Sequence, residues 1–141
     1  MITALDHIAI AVPDLESAIR RFRDDLGIVL SGVEAVPTQK TTTAFFPLPP
    51  TQIELVHPLA GEGAIAAFLE KRGGGLHHLC FRTDDIEADV RRLQDKGYRF
   101  LTEAPVPGAH GCRVIFIHPS SFGGVLVELA EHPAAGSAAR P

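Results

Sequence analysis

The stretch Gly75-Leu76-His77-His78-Leu79-Cys80-Phe81 repeats the start of the chain. Residues 76–93 read L-H-H-L-C-F-R-T-D-D-I-E-A-D-V-R-R-L, and residues 5–22 read L-D-H-I-A-I-A-V-P-D-L-E-S-A-I-R-R-F. The two align without a gap at an offset of 71 over 18 positions. His7 falls on His78, Asp14 on Asp85, Glu16 on Glu87, and Arg20-Arg21 on Arg91-Arg92. Each copy also closes alike. Ile53-Glu54-Leu55 is followed by His57-Pro58, and Val127-Glu128-Leu129 by His132-Pro133. A His opens each half and a Glu closes it, 47 residues later in the first half and 50 in the second.

Working outward from the repeat, residues 5–12 are rich in β-branched residues and predict a strand. Asp14 follows it as a helix cap. Leu15, Ala18, Ile19, Phe22 and Leu26 then recur at helical spacing, and Gly27 ends the helix. Strands are expected at 28–34, 41–48 and 52–57, the last with Gln52, Glu54 and Val56 on one face. The first half thus reads β-α-β-β-β. A linker helix at 63–71 runs into Gly73-Gly74-Gly75. The second half repeats the order, with a strand at 76–82 and a helix capped by Asp84 or Asp85 and stopped by Gly97. Strands are then expected at 98–102, 112–117 and 124–130. The loop 105–111 is Gly/Pro-rich, a composition often found beside sites. The Ala/Gly/Ser/Pro-rich end of the chain, 132–141, predicts a disordered tail.

At 141 residues the chain fits one domain or two very small ones. A half of about 60 residues buries only a modest core alone, so the halves are expected to pack as one unit over 1–131. Module one spans about 4–58, the linker helix about 62–73 and module two about 75–130. No apolar run approaches a membrane span, and no secretory signal is visible. A net charge of -4 without a basic patch speaks against nucleic acid as a partner. Cys80 and Cys112 form no C-x-x-C motif and are expected to be reduced and buried, as in a cytoplasmic protein.

In each half the His lies in the first strand and the Glu in the last. Parity turns His7 away from Ile8, and Glu54 away from Ile53 and Leu55. Two such sheets related by a pseudo-twofold would bring two His and two Glu together. That set suits a divalent transition metal with positions open for water or substrate. Two carboxylates also bring the loaded site to about neutral charge, and either could leave the ion to act as a base. A single strand His is usually structural. Duplication of both residue types at matched places is what singles out His7, Glu54, His78 and Glu128, since a Glu between apolar neighbours is expensive to bury unpaired. His77 and Asp6 are read as structural or supporting, and His57, His118 and His132, near or before Pro, as turn residues. His110 in the Gly-rich loop is read as a loop residue.

The duplicated β-α-β-β-β pattern with His and Glu resembles the vicinal oxygen chelate superfamily, which includes glyoxalase I and the extradiol dioxygenases. Five stretches are similar to the methylmalonyl-CoA epimerase family within it: residues 5–15, 53–59, 75–79, 108–111, and 116–119 with 123–129. The resemblance implies an α+β fold of two tandem β-α-β-β-β modules forming one domain. It implies His7, Glu54, His78 and Glu128 as ligands of one divalent metal per chain. Cobalt is the metal the resemblance suggests, and mixed N and O ligands also permit Mn, Ni, Zn or Mg. It further implies a homodimer acting on a CoA thioester, a small-molecule partner, with Glu128 and Glu54 as catalytic carboxylates. Some members have Gln at the place of Glu54 and an extra Glu in the third strand. Here that place holds Thr43, so Glu54 becomes the natural second carboxylate. Lys40, Lys71, Arg72 and Arg113 are the cations the sequence offers to an anionic substrate, whose contact residues stay unassigned. A glyoxalase I-like lactoylglutathione lyase and a non-catalytic ligand-binding protein of the same fold are the alternatives.

Overall fold

A computed structural model describes residues 1–134. The chain divides into two compact units, one of His7–His77 and the other of Met1–Asp6 with the chain from His78 onward. The expected linker helix therefore belongs with the first module, and the first residues of the opening strand are grouped with the second.

In the first unit, strand β1 (Ile2–Ala11) leads through Asp14 into helix α1 (Leu15–Arg20), which continues as a π-helical turn over Arg21–Asp25. Asp14 accepts a hydrogen bond from the Ser17 amide at 3.2 Å, the capping role its position predicts. Strands β2 (Gly32–Val36), β3 (Thr41–Leu48) and β4 (Thr51–Pro58) follow. Their order is β2-β3-β4-β1, so the last strand folds back beside the first and runs parallel to it. Leu15, Ala18, Ile19 and Phe22 pack on Val12, Ala44, Phe46 and Leu55, which fills one face of the sheet. Helix α2 (Ala64–Arg72) sends Ile65, Phe68 and Leu69 against Ala9, Ala11 and Val56 on the other. Gly73 ends α2 at φ 77°, with its amide 2.7 Å from the Leu69 carbonyl. Gly74 then passes close to β1: a Cβ there would stand 3.1 Å from the Ala11 carbonyl oxygen, at φ 134°.

The second unit repeats the plan with β5 (Gly75–Thr83), helix α3 (Ile86–Asp95), β6 (Val106–Pro107), β7 (Arg113–Ile117) and β8 (Val127–Glu131). The order is β5-β8-β7-β6, again with first and last strands parallel. Asp85 caps α3 by accepting from the Ala88 amide at 3.1 Å. Ile86 and Val90 of α3 pack on Ile115, Ile117, Val127 and Leu129. Cys80 and Cys112 are buried, form no disulfide, and lie in the cluster with Val114 and Ala130.

Two strand expectations fail, and in the same way. The strand expected at 28–34 lies at Gly32–Val36, because Ile28 and Leu30 join the core under α1 instead of a ladder. The strand expected at 98–102 is reduced to one bridge, Phe100 with Ile117, because Tyr98 and Phe100 pack against the α3 cluster. The edge of that sheet is built by Val106–Pro107, from the expected loop, and Pro suits an edge because it lacks the amide an inner strand must donate. The expected tail also begins too early. Glu131 ends β8, and His132 Nε2 stands 2.5 Å from Asp6 Oδ1. Residues 135–141 of that expected tail lie outside the described residues.

Asp89, fully buried in α3, receives hydrogen bonds from Thr83 Oγ1 and Arg92. Burial pushes its carboxyl up, but those donors together with the terminal amine hold it below the ordinary aspartate range. A depressed carboxyl adds stability above its unfolded pKa near 4, and that stability is lost as pH falls through the folded value. Asp89→Asn should therefore be less stable at pH 7 and show a flatter loss of stability below about pH 4, read by urea titration across pH. Asp14→Ala and Asp85→Ala should each cost about 1 kcal/mol in the same assay.

Candidate metal centre

The parallel pairing of β1 with β4 sets Ala9 opposite Glu54 and Ala11 opposite Val56. His7, two residues before Ala9, shares that face. Ala9 is fully buried and carries only a methyl, so the imidazole can lean along the sheet into the space beside the carboxylate. His7 Nδ1 stands 3.1 Å from Glu54 Oε2. On the far side of Glu54, the antiparallel partner on β3 is Phe45, also buried.

The second unit has the same construction. Cys80 lies opposite Glu128 on β8, His78 is two residues earlier on the same face, and Phe116 on β7 is the antiparallel partner of Glu128. His78 Nε2 stands 3.0 Å from Glu128 Oε1. The Phe116 ring meets the His78 ring edge to face, with centroids 5.1 Å apart and planes at 89°. Ala9 and Cys80 are related by the offset of 71, and so are Phe45 and Phe116. Each module is thus an imidazole and a carboxylate, with a small residue opposite the carboxylate on one strand and a phenyl ring on the next. The four polar residues are between 6 % and 9 % exposed.

A buried carboxylate needs a compensating charge or donor nearby. The spacing in both pairs suits a shared ion. Two donor atoms bound at about 2.1 Å and at right angles stand about 3.0 Å apart, close to both N···O separations. Imidazole nitrogen with carboxylate oxygen is also the donor chemistry that divalent transition metals accept. The residues present therefore fit a divalent ion.

Gln52, two residues before Glu54 on β4, donates its side-chain amide to Glu54 Oε2 at 2.9 Å. It went unassigned in the sequence, although its parity with Glu54 was visible. Thr43, the third-strand position without a carboxylate, is buried opposite Val56, with its hydroxyl 3.5 Å from that of Thr41. The remaining histidines stand elsewhere. His77 packs edge-on against Phe68, and His57 Nδ1 lies 2.9 Å from the Val12 carbonyl. The His118 side chain accepts from the Ser120 amide, and His110 sits in the loop at φ 56°. Asp6, the counterpart of His77, pairs with His132. Arg113 is engaged by Glu87, which it holds below the ordinary carboxyl range, while Lys40 forms an exposed pair with Glu62 at 3.2 Å.

The chain is similar to several known proteins. Residues 6–116 match the model of the glyoxalase/bleomycin resistance protein/dioxygenase superfamily. An ethylmalonyl-CoA/methylmalonyl-CoA epimerase of Cereibacter sphaeroides is 47% identical over 133 residues, covering 93% of this chain and 99% of that protein. The crystal structure of methylmalonyl-CoA epimerase from Mycobacterium tuberculosis superposes with a TM-score of 0.89 at 41% identity, covering 94% of this chain and 90% of that one. A methylmalonyl-CoA epimerase solved in complex with methylmalonyl-CoA and NH4+ gives 0.91 at 32% identity, covering 97% and 99%. A family model spanning most of the chain, and relatives matched over nearly their whole length, place the fold: the chain belongs to the glyoxalase/bleomycin resistance protein/dioxygenase superfamily, the vicinal oxygen chelate fold of paired β-α-β-β-β modules.

Proposed function

We infer that this chain is a methylmalonyl-CoA epimerase, interconverting the (2R) and (2S) thioesters by moving the proton at C2. The observation that carries the reading is the near full-length match to an epimerase at 47% identity, in a chain that keeps a buried His–Glu pair in each module.

The reaction needs a proton removed from one face of a carbon between a thioester and a carboxylate, and one returned on the other. A divalent ion held by His7, Glu54, His78 and Glu128 would supply positive charge against the oxygen on which negative charge develops. In this reading Glu128 takes or returns the C2 proton on one face, and Glu54 serves the other. Carboxylates suit the task because each can carry the proton between the two half-reactions. Their burial excludes water that would otherwise compete for the proton and weaken every charge interaction in the site. The ion we favour is cobalt, on resemblance alone, with Mn, Ni, Zn or Mg as alternatives. A homodimer working in the cytoplasm on propionate-derived thioesters completes the reading. Lys40, Lys71 and Arg72 are the cations available to the phosphates of CoA.

Ethylmalonyl-CoA is a second substrate to be tried, because the relative from Cereibacter sphaeroides carries both substrates in its name. A lactoylglutathione lyase uses the same types of residue, but the names of the relatives and solved structures reported above favour the epimerase.

Replacing Glu128 with Gln should lower exchange of the C2 proton with solvent deuterium by about 10²–10⁴-fold, followed by NMR of methylmalonyl-CoA. Full exchange in that variant would remove Glu128 from the mechanism. Stripping the protein with a chelator should bring epimerisation to background. Adding Co²⁺ back at about 100 times its dissociation constant should restore activity and raise stability by about 2.7 kcal/mol in thermal melts. Turnover of methylglyoxal with glutathione, and none of methylmalonyl-CoA, would replace the epimerase by the lyase.

A further inference from the structure

Glu54 has a polar neighbour two residues before it on the same strand. That neighbour is Gln52. Gln52 Nε2 donates to Glu54 Oε2 at 2.9 Å, and the same oxygen faces His7 Nδ1 at 3.1 Å. A carboxylate oxygen only accepts, so the amide must present its nitrogen to it. One oxygen has two lone pairs, so Oε2 can take the Gln52 hydrogen and still offer a lone pair toward an ion shared with His7.

We propose that Gln52 is a positioning residue that holds Glu54 in the orientation from which it meets an ion shared with His7. The proposal rests on the reading of His7 and Glu54 as ligands. Outer partners of this kind orient a ligand and narrow its rotamers before the ion arrives, and they raise affinity without touching the ion. Because β4 is a strand, Gln52 and Glu54 project from the same face, so the contact is set by backbone geometry and costs little chain entropy.

The test is titration of the metal-stripped protein with Mn²⁺ by calorimetry, with steady-state kinetics alongside. Gln52→Met, close in size and without a donor, should weaken Mn²⁺ binding about tenfold and lower kcat with little change in KM for methylmalonyl-CoA. Gln52→Lys keeps a donor on a chain long enough to reach Glu54 and should stay within about threefold of the wild type. A purely structural role would change thermal stability and leave Mn²⁺ affinity alone. Unchanged affinity in Gln52→Met, with His7→Ala still unable to take up Mn²⁺, overturns the role of Gln52 and leaves the metal centre standing. Uptake by His7→Ala equal to that of the wild type overturns the centre and the role of Gln52 together. If Gln52→Met does not fold, Gln52→Thr, a good strand residue too short to make the contact, is read by the same criteria.

Discussion

A carboxylate on the inward face of a β-strand cannot reach bulk water, and desolvation of its charge makes the folded state costly unless an acceptable partner stands within hydrogen-bond distance. Glu54 and Glu128 are both in that position, and much of the surrounding structure can be understood from it. Each needs a nitrogen about 3 Å away, supplied in each case by a His on the neighbouring parallel strand. For that imidazole to arrive, the residue directly opposite the glutamate must be small, and it is Ala9 in one module and Cys80 in the other. The far flank must be closed to water without offering a competing donor, and Phe45 and Phe116 do this. The helix carries the chain from the first strand to the far edge, and the folding back of the last strand onto the first is the topology that brings His and Glu side by side. Without it the same residues would stand at opposite edges of each sheet.

The helices and the His–Glu pairs were legible because each was written in local chemistry or written twice. Asp14 and Asp85 announced helix starts, and apolar spacing did the rest. The four ligand candidates stood out by repetition, and parity correctly placed Gln52 with Glu54. The phenyl rings were missed although they obey the same offset, because similarity around them is faint: Thr41–Phe46 and Cys112–Ile117 share a Phe and little else. The inner apolar runs misled. Ile28–Leu30 and Tyr98–Phe100 read as strands by composition, yet both serve as packing beneath a helix while the ladder starts several residues later. Periodicity cannot distinguish a short buried strand from a buried connection, since both are simply apolar. The pairing of His132 with Asp6 lies 126 residues apart and had no local trace.

Electrostatics outside the pairs is conventional. Arg113 and Glu87 engage each other on the surface, and such exposed pairs contribute little to stability. Asp89 differs, since it is wholly inside and held by named donors. It anchors α3, whose apolar face covers one side of the second sheet. Among the other histidines, His118 caps a turn, His77 packs on a ring, His57 meets a carbonyl and His132 pairs with Asp6. That separation shows how little the count of histidines says by itself about a site.

One quantity changes between the modules while another does not. Phe45 and Phe116 are 71 positions apart, but Glu54 and Glu128 are 74 apart, so the connection after the third strand is three residues longer in the second copy. In both copies the Phe still lies directly opposite the Glu. The hairpin end has absorbed the added length without disturbing the pairing behind it. What the duplication has kept is a position in a ladder, counted across strands, and the number of residues along the chain was free to drift. A search for this site by fixed His-to-Glu spacing would find one half and lose the other, whereas a search by strand partner would find both. The same hairpin ends are accordingly where a graft or a reporter peptide could be inserted with the ligands left in register.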